Sequence, residues 1–227
     1  MKSKSLAFRL SAGHGVLFQP AMQNKLSSDY LKRISVLDKS INGSCEAIRH
    51  LIQEDRLPEH VYSGQANSQM RSSLDVIEDC QLAIDAYFSS AEIPESGECY
   101  TKVYGILQVL FVQQNAVRHL FESLHQNHPR NDVLDQIRKI RNRAVGHPSK
   151  KEPTKKESRN GEKPSFHFIS RVTLTQHAFQ LITESEGAKE KFEDVDIRAL
   201  ITDQDRQVTA ILTDLVIRLG RGGQAVP

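Results

Sequence analysis

Between Glu98 and Gln126 the residues Val103, Tyr104, Ile106, Leu107, Val109, Leu110, Phe111 and Val112 cover most of the circumference of a helix. Such a helix has little face left for solvent. It is buried on more than one side, or it meets its own core on one side and a partner subunit on another. The segment therefore predicts a bundle in which other helices surround it, and the rest of the chain supplies them. From Asn24 to about Arg56, Leu26, Tyr30, Ile34, Leu37, Ile41, Cys45, Ile48 and Ile52 recur at steps of three or four, one apolar stripe that ends near Leu57-Pro58. A second helix is predicted from about Gln65 to Ser90, carried by Met70, Leu74, Ile77, Leu82, Ile84 and Phe88. The breakers in Ile93-Pro94-Glu95-Ser96-Gly97 close it off. A fourth helix runs to Val145 on Val133, Leu134, Ile137 and Ile140, with Asn131 or Asp132 able to cap its start. The last runs from about Asp196 to Leu219.

Beyond Pro148 the pattern changes. Residues 149–164 hold many charges, Pro153 and Gly161, and no large apolar side chain, as in a solvated linker. Phe166, Phe168, Val172 and Leu174, then Phe179, Leu181 and Thr183, alternate with polar residues. This predicts a β-hairpin over 165–184 turning near Thr175-Gln176-His177. The expected fold is mainly all-α: an up-and-down bundle of four to five long helices with the hairpin inserted before the last one. Residues 1–23 read as an N-terminal extension, 24–221 as one helical domain, and 222–227 as a tail.

The formal charge of +2 neither demands nor excludes nucleic acid. Cys45, Cys80 and Cys99 lack any Cys-x-x-Cys pair, which argues against zinc and against a disulfide framework and suits a reducing cytosol. Lys2 and Lys4 are followed by Arg9 and His14, which interrupt any signal-peptide core, and no apolar run approaches the roughly 18 residues of a membrane span. A soluble, cytoplasmic protein is expected, with no cofactor and no metal. His119, His125 and His128 lie near the end of the third helix without a ligand partner at metal-site spacing, and read as helix-end surface. His14, His50, His60, His167 and His177 are isolated and read likewise.

The fourth helix closes on Ile140-Arg141-Asn142-Arg143-Ala144-Val145-Gly146-His147-Pro148. A guanidinium fork binds phosphate in a bidentate way, and an unperturbed imidazole exchanges protons near neutral pH. Together they can cut a phosphodiester without a metal. In a regular helix Arg141 and His147 would stand about 120° apart around the axis. Gly146 and Pro148 relieve this, because glycine admits a turn and proline disfavours helix at the residue before it. Arg138, three residues before Arg141, extends a phosphate track, and Arg143, Lys150 and Lys151 continue the positive charge. The plain alternative is a surface arginine bridged to Asp135 or Glu122.

The stretch Arg141-Asn142-Arg143-Ala144-Val145-Gly146-His147 resembles the signature of the HEPN superfamily: an arginine, then a polar residue, then a histidine a few residues on, at the end of a late helix in a long-helix bundle. The resemblance implies a metal-independent endoribonuclease acting as a homodimer, of the kind found in toxin–antitoxin, phage-defence and RNA-processing systems. By that resemblance Arg141 would hold the scissile phosphate. His147 would be general base on the ribose 2′-hydroxyl or general acid on the leaving oxygen, and Asn142 would orient the pair. The product would be a 2′,3′-cyclic phosphate. RNA and an antitoxin or other protein are the partners implied, and no membrane. The alternative is a non-catalytic HEPN-like helical module that binds a protein partner, a nucleotide or RNA.

Overall fold

Ser40 is extended, and its hydroxyl accepts a hydrogen bond from the Gly43 amide at 3.0 Å, which starts helix α1, Ile41–Gln53. The computed structural model describes residues 39–54, 57, 59–62, 64–91, 96–146, 149–153, 155–159, 161 and 163–221. The expectations for 1–23, for the first half of the helix predicted from Asn24, for the tail 222–227 and for His147 lie outside these residues. After a 3₁₀ turn at Glu59–Tyr62 come α2, Gly64–Ser89, and α3, Ser96–Ser123. Helix α4, Asp132–Arg141, is capped by Asn131, whose side-chain oxygen accepts from the Leu134 amide at 3.1 Å. It continues into a π-helical turn at Asn142–Gly146.

Helix α3 is the hub that its all-round apolar character requires. Val103, Ile106, Leu107, Leu110, Val117, Leu120 and Phe121 are buried, and α3 packs against α2, α4 and the last helix, α6, Ile197–Gly220. Helix α1 lays Ile41, Cys45, Ile48 and Leu51 against α6 and α2. Buried Cys80 on α2 and Cys99 on α3 join Cys45 in the interior. One polar knot sits inside this core. Gln204 of α6 donates to the Leu110 carbonyl at 3.0 Å and to Gln113 Oε1 at 2.9 Å, and its own Oε1 accepts from Gln114 at 2.7 Å. Among the described residues no helix is long and apolar enough to cross a membrane.

The all-α expectation is corrected here. Strands β1, Ser165–Ile169, β2, Ala178–Ser185, and β3, Lys191–Asp196, form an antiparallel sheet in the order β1-β2-β3, so the predicted hairpin is part of a three-stranded layer. The register Phe168↔Ile182 and Ile182↔Phe192 puts these three side chains on one face. Ile169, Phe179, Leu181 and Val195 are buried on the other. The third strand escapes periodicity because its two apolar residues, Phe192 and Val195, are three apart and face opposite ways. The strand predicted through Val172 stops at Ile169, and Val172 is 95% exposed in the connecting turn. The linker is also not wholly irregular: Lys155–Arg159 forms a short helix, α5, and Lys151 exchanges backbone hydrogen bonds with Ser165 of β1. The sheet is tied to the bundle by Tyr87 of α2, whose hydroxyl donates to the Gln176 carbonyl at 2.6 Å. Strand β1 lies against the π-turn.

Candidate nucleic-acid interface

Helices α3 and α4 run antiparallel and meet through two short stripes. On α3 these are Gln108, Phe111 and Asn115, at i, i+3 and i+7, and on α4 they are Arg138 and Arg141, at i and i+3. Arg141 donates from Nε and Nη2 to Gln108 Oε1, at 3.2 and 2.5 Å, and from Nη1 to Asn142 Oδ1 at 2.9 Å. Its guanidinium carbon lies 4.1 Å from the Phe111 ring centroid, and that of Arg138 lies 4.6 Å from the same centroid. One phenyl ring thus holds two guanidiniums by cation–π attraction. Arg138 also donates to Asn115 Oδ1 at 3.0 Å.

Every hydrogen-bond and ring partner of these two arginines among the described residues is neutral. Asp135 and Glu122, the carboxylates that a surface arginine would have used, instead approach Arg130 and Arg118. The proton affinity of Arg138 is lowered by burial first, then by neighbouring Arg118 and Arg141, with Asp135 opposing. It stays charged. Two half-buried cations that bond amides and a ring among the described residues can accept an anion.

The π-turn explains how Arg141 is set. A Cβ added at Gly146 would fall 2.9 Å from Arg141 Nη1 and 3.5 Å from Asn142 Oδ1, so the absent side chain is the space that the guanidinium occupies. Single π-turns within α-helices often accompany functional sites. Gly146→Ala is therefore expected to leave the fold nearly unchanged, since the obstacle is the end of a flexible side chain, and to move the fork. If Arg141 acts on a phosphate, the cleavage rate should fall about 10²-fold for a displacement of about 1 Å, with Tm held within a few degrees. An unaltered kcat/KM would show that this placement does not matter.

The other charges expected on the phosphate track go elsewhere. Arg143 pairs through Nη1 with Glu193 of β3 at 2.6 Å and donates to the Lys139 carbonyl, so it serves the sheet and not the Arg138–Arg141 stripe. The reason is rotational: along the π-turn Arg143 leaves the face that carries Arg141. Lys150 pairs with Glu152 and is solvated, and Lys151 is held by its backbone at the β1 edge. Asn142 touches Arg141 directly, as an orienting residue would.

His167 and His128 are among the histidines read as surface residues that the fold draws inward. His167 is buried on β1, with Nδ1 2.9 Å from Thr183 Oγ1 and Nε2 3.1 Å from Ser165 Oγ. Burial first, then Arg143 and Lys151, lower its proton affinity. With both ring nitrogens engaged it pins β1 to β2. His128, packed edge-on against Phe121, is lowered likewise by burial first, then by Arg118 and Arg138. Among the described residues no group of three or more His, Cys, Asp or Glu is placed to hold a metal ion. Gln108 and Asn115 escaped sequence reading, and Phe111 was read only as apolar packing, although two amides seven residues apart on one face of the helix were the available sign.

Comparison of the chain with protein-family models, with curated proteins and with solved structures gives no match.

Proposed function

We propose that this chain is a metal-independent endoribonuclease of HEPN type, cleaving RNA by attack of the 2′-hydroxyl to leave a 2′,3′-cyclic phosphate. The observation that carries the reading is the state of Arg141. It is a guanidinium at a helix end, oriented by Gln108, Asn142 and Phe111 and matched by no carboxylate among the described residues. Such a group is pre-organised for a phosphate whose charge rises as the bond breaks. His147 supplies proton transfer and Asn142 holds the fork. The working unit is a homodimer in which two motifs share a cleft, held in check by an antitoxin or other protein in a toxin or phage-defence role. The thiols of Cys45 and Cys80, which form no disulfide, fit a reducing cytoplasm.

The test is direct. Purified protein with EDTA present is expected to fragment a mixed-sequence RNA into products ending in 2′,3′-cyclic phosphate, and to leave DNA of the same sequence whole. His147→Ala should cleave neither. An RNA left whole by the parent protein would sink the nuclease reading.

One observation favours the other reading, a non-catalytic module that binds a protein. The outer face of the sheet exposes Phe166, Phe168 and Phe192, at 39, 42 and 56%. The register adds Glu184 and Asp194 to that face. Aromatic surface beside carboxylates suits an apolar protein surface better than a polyanion.

A further inference from the structure

Beside the Arg141 stripe, α3 and α4 enclose a second cationic hollow. Asn115 Oδ1 accepts from Arg138 Nη2 at 3.0 Å and from Arg118 Nη2 at 3.4 Å, so two guanidiniums from different helices converge on one neutral oxygen. Together with His128, Arg130 and Asp135 they line a cavity of about 230 Å³ between the two helices and the connection that joins them. The lining itself carries three guanidiniums and one carboxylate, Asp135, while Glu122 and Asp132 reach Arg118 and Arg130 from outside it. Arg130 is drawn to Asp132 at 3.4 Å and Asp135 at 4.0 Å. Arg118 meets Glu122 only at 3.8 Å. Arg138 bonds no carboxylate among the described residues.

We propose that this hollow is a phosphate subsite, holding a backbone phosphate of an RNA strand next to the one at Arg141. The proposal rests on the reading of Arg141 as a phosphate-binding group. What joins the two positions is Arg138, which stacks with Arg141 on Phe111 and shares Asn115 with Arg118. The guanidiniums follow one another along the seam between α3 and α4, and a continuous strand is the ligand that needs anion sites in series. Arg118 and Arg138 also oppose each other's charge here, and an entering phosphate relieves that cost.

His128 serves as the reporter, because its ring lies in the cavity. The charged groups around it are Arg118 and Glu122 from α3, Asp135 and Arg138 from α4, and Arg130 from the connection, which shares the lining, while α6 contributes apolar Val208. A bound phosphate opposes the arginines and should raise the imidazole's proton affinity. The probe is an eight-nucleotide 2′-O-methyl RNA, which cannot be cut by 2′-hydroxyl attack. Inorganic phosphate is run in parallel, and His128 ring resonances are followed by NMR at constant ionic strength. The oligonucleotide is expected to move the His128 titration upward at saturation. Arg118→Gln, a change at a half-exposed side chain, is expected to weaken its binding about tenfold. The same change should lower the slope of log K against log salt by about 0.7, the release for one single-strand phosphate, with Tm unaltered. Binding that leaves His128 unmoved, an unchanged salt slope in Arg118→Gln, or a His128 response to inorganic phosphate alone would overturn the proposal. Failure of the ribonuclease reading shows separately, as unmodified RNA left whole by a protein that still binds the 2′-O-methyl strand here.

Discussion

Arg141→Ala is expected to lower RNA cleavage by about 10²- to 10³-fold, the usual loss when one pre-organised donor to developing charge is removed. Arg141→Lys should recover little of it, because an ammonium keeps the charge but loses the planar fork that Gln108 and Asn142 align. The alternative explanation, a damaged fold, predicts a different pattern. Among the described residues Arg141 contributes to stability through bonds to neutral amides and one cation–π contact, together on the order of 3 kcal/mol at a half-buried position. A lowering of Tm by several degrees is therefore compatible with the proposal, but full cleavage is not. Single-turnover rates at saturating RNA, measured beside thermal melts, separate the two. A variant within threefold of the parent would remove Arg141 from the chemistry.

Gln204→Leu is expected to cost about 2–4 kcal/mol of stability. Leucine has a similar volume, so the cavity penalty is small and the loss comes from polar atoms. The Leu110 carbonyl, Gln113 Oε1 and Gln114 Nε2 each lose a partner where Gln204 and Gln113 are fully buried and Gln114 is 5% exposed. A buried group left unsatisfied costs about 1–3 kcal/mol, and repacking of the two remaining amides against each other recovers part. Urea unfolding should show a lower midpoint with an unchanged m value. A double replacement with Gln114→Leu should cost less than the sum of the two singles, because the second change removes an orphan left by the first. A Gln204→Leu midpoint equal to the parent's would mean that the knot contributes nothing to the junction of α3 and α6.

What could be read from the residues alone followed the strength of the local signal. Helices α2 and α3 have long apolar stripes and breakers at their ends, and their limits fall within a few residues of the expected ones. Asn131 is a capping residue in sequence and in space. The third strand was not legible, because Lys191–Asp196 is mostly charged and only pairing with β2 makes it a strand. The π-turn was foreshadowed by Gly146, but the seat it leaves for the Arg141 guanidinium is a contact that no periodicity encodes. Arg143 shows the limit most clearly. Its place in a basic run pointed to phosphate, and a carboxylate fifty residues further along the chain, Glu193, claimed it instead. Charge runs report potential partners, while long-range pairing decides which are used.

The three interior cysteines give the molecule a built-in gauge of its own breathing. Burial first, with Glu78 adding and Arg49 opposing, pushes the Cys45 thiol up to about 12, and burial then Asp79 pushes Cys80 to about 11. Electrophiles attack the thiolate, so the folded molecule presents almost no target at Cys45 or Cys80, and Cys99 is shielded by burial. Cys45, Cys80 and Cys99 sit on successive helices, α1, α2 and α3. The order in which they become alkylated would thus record which helix detaches first, with no label introduced and no residue changed.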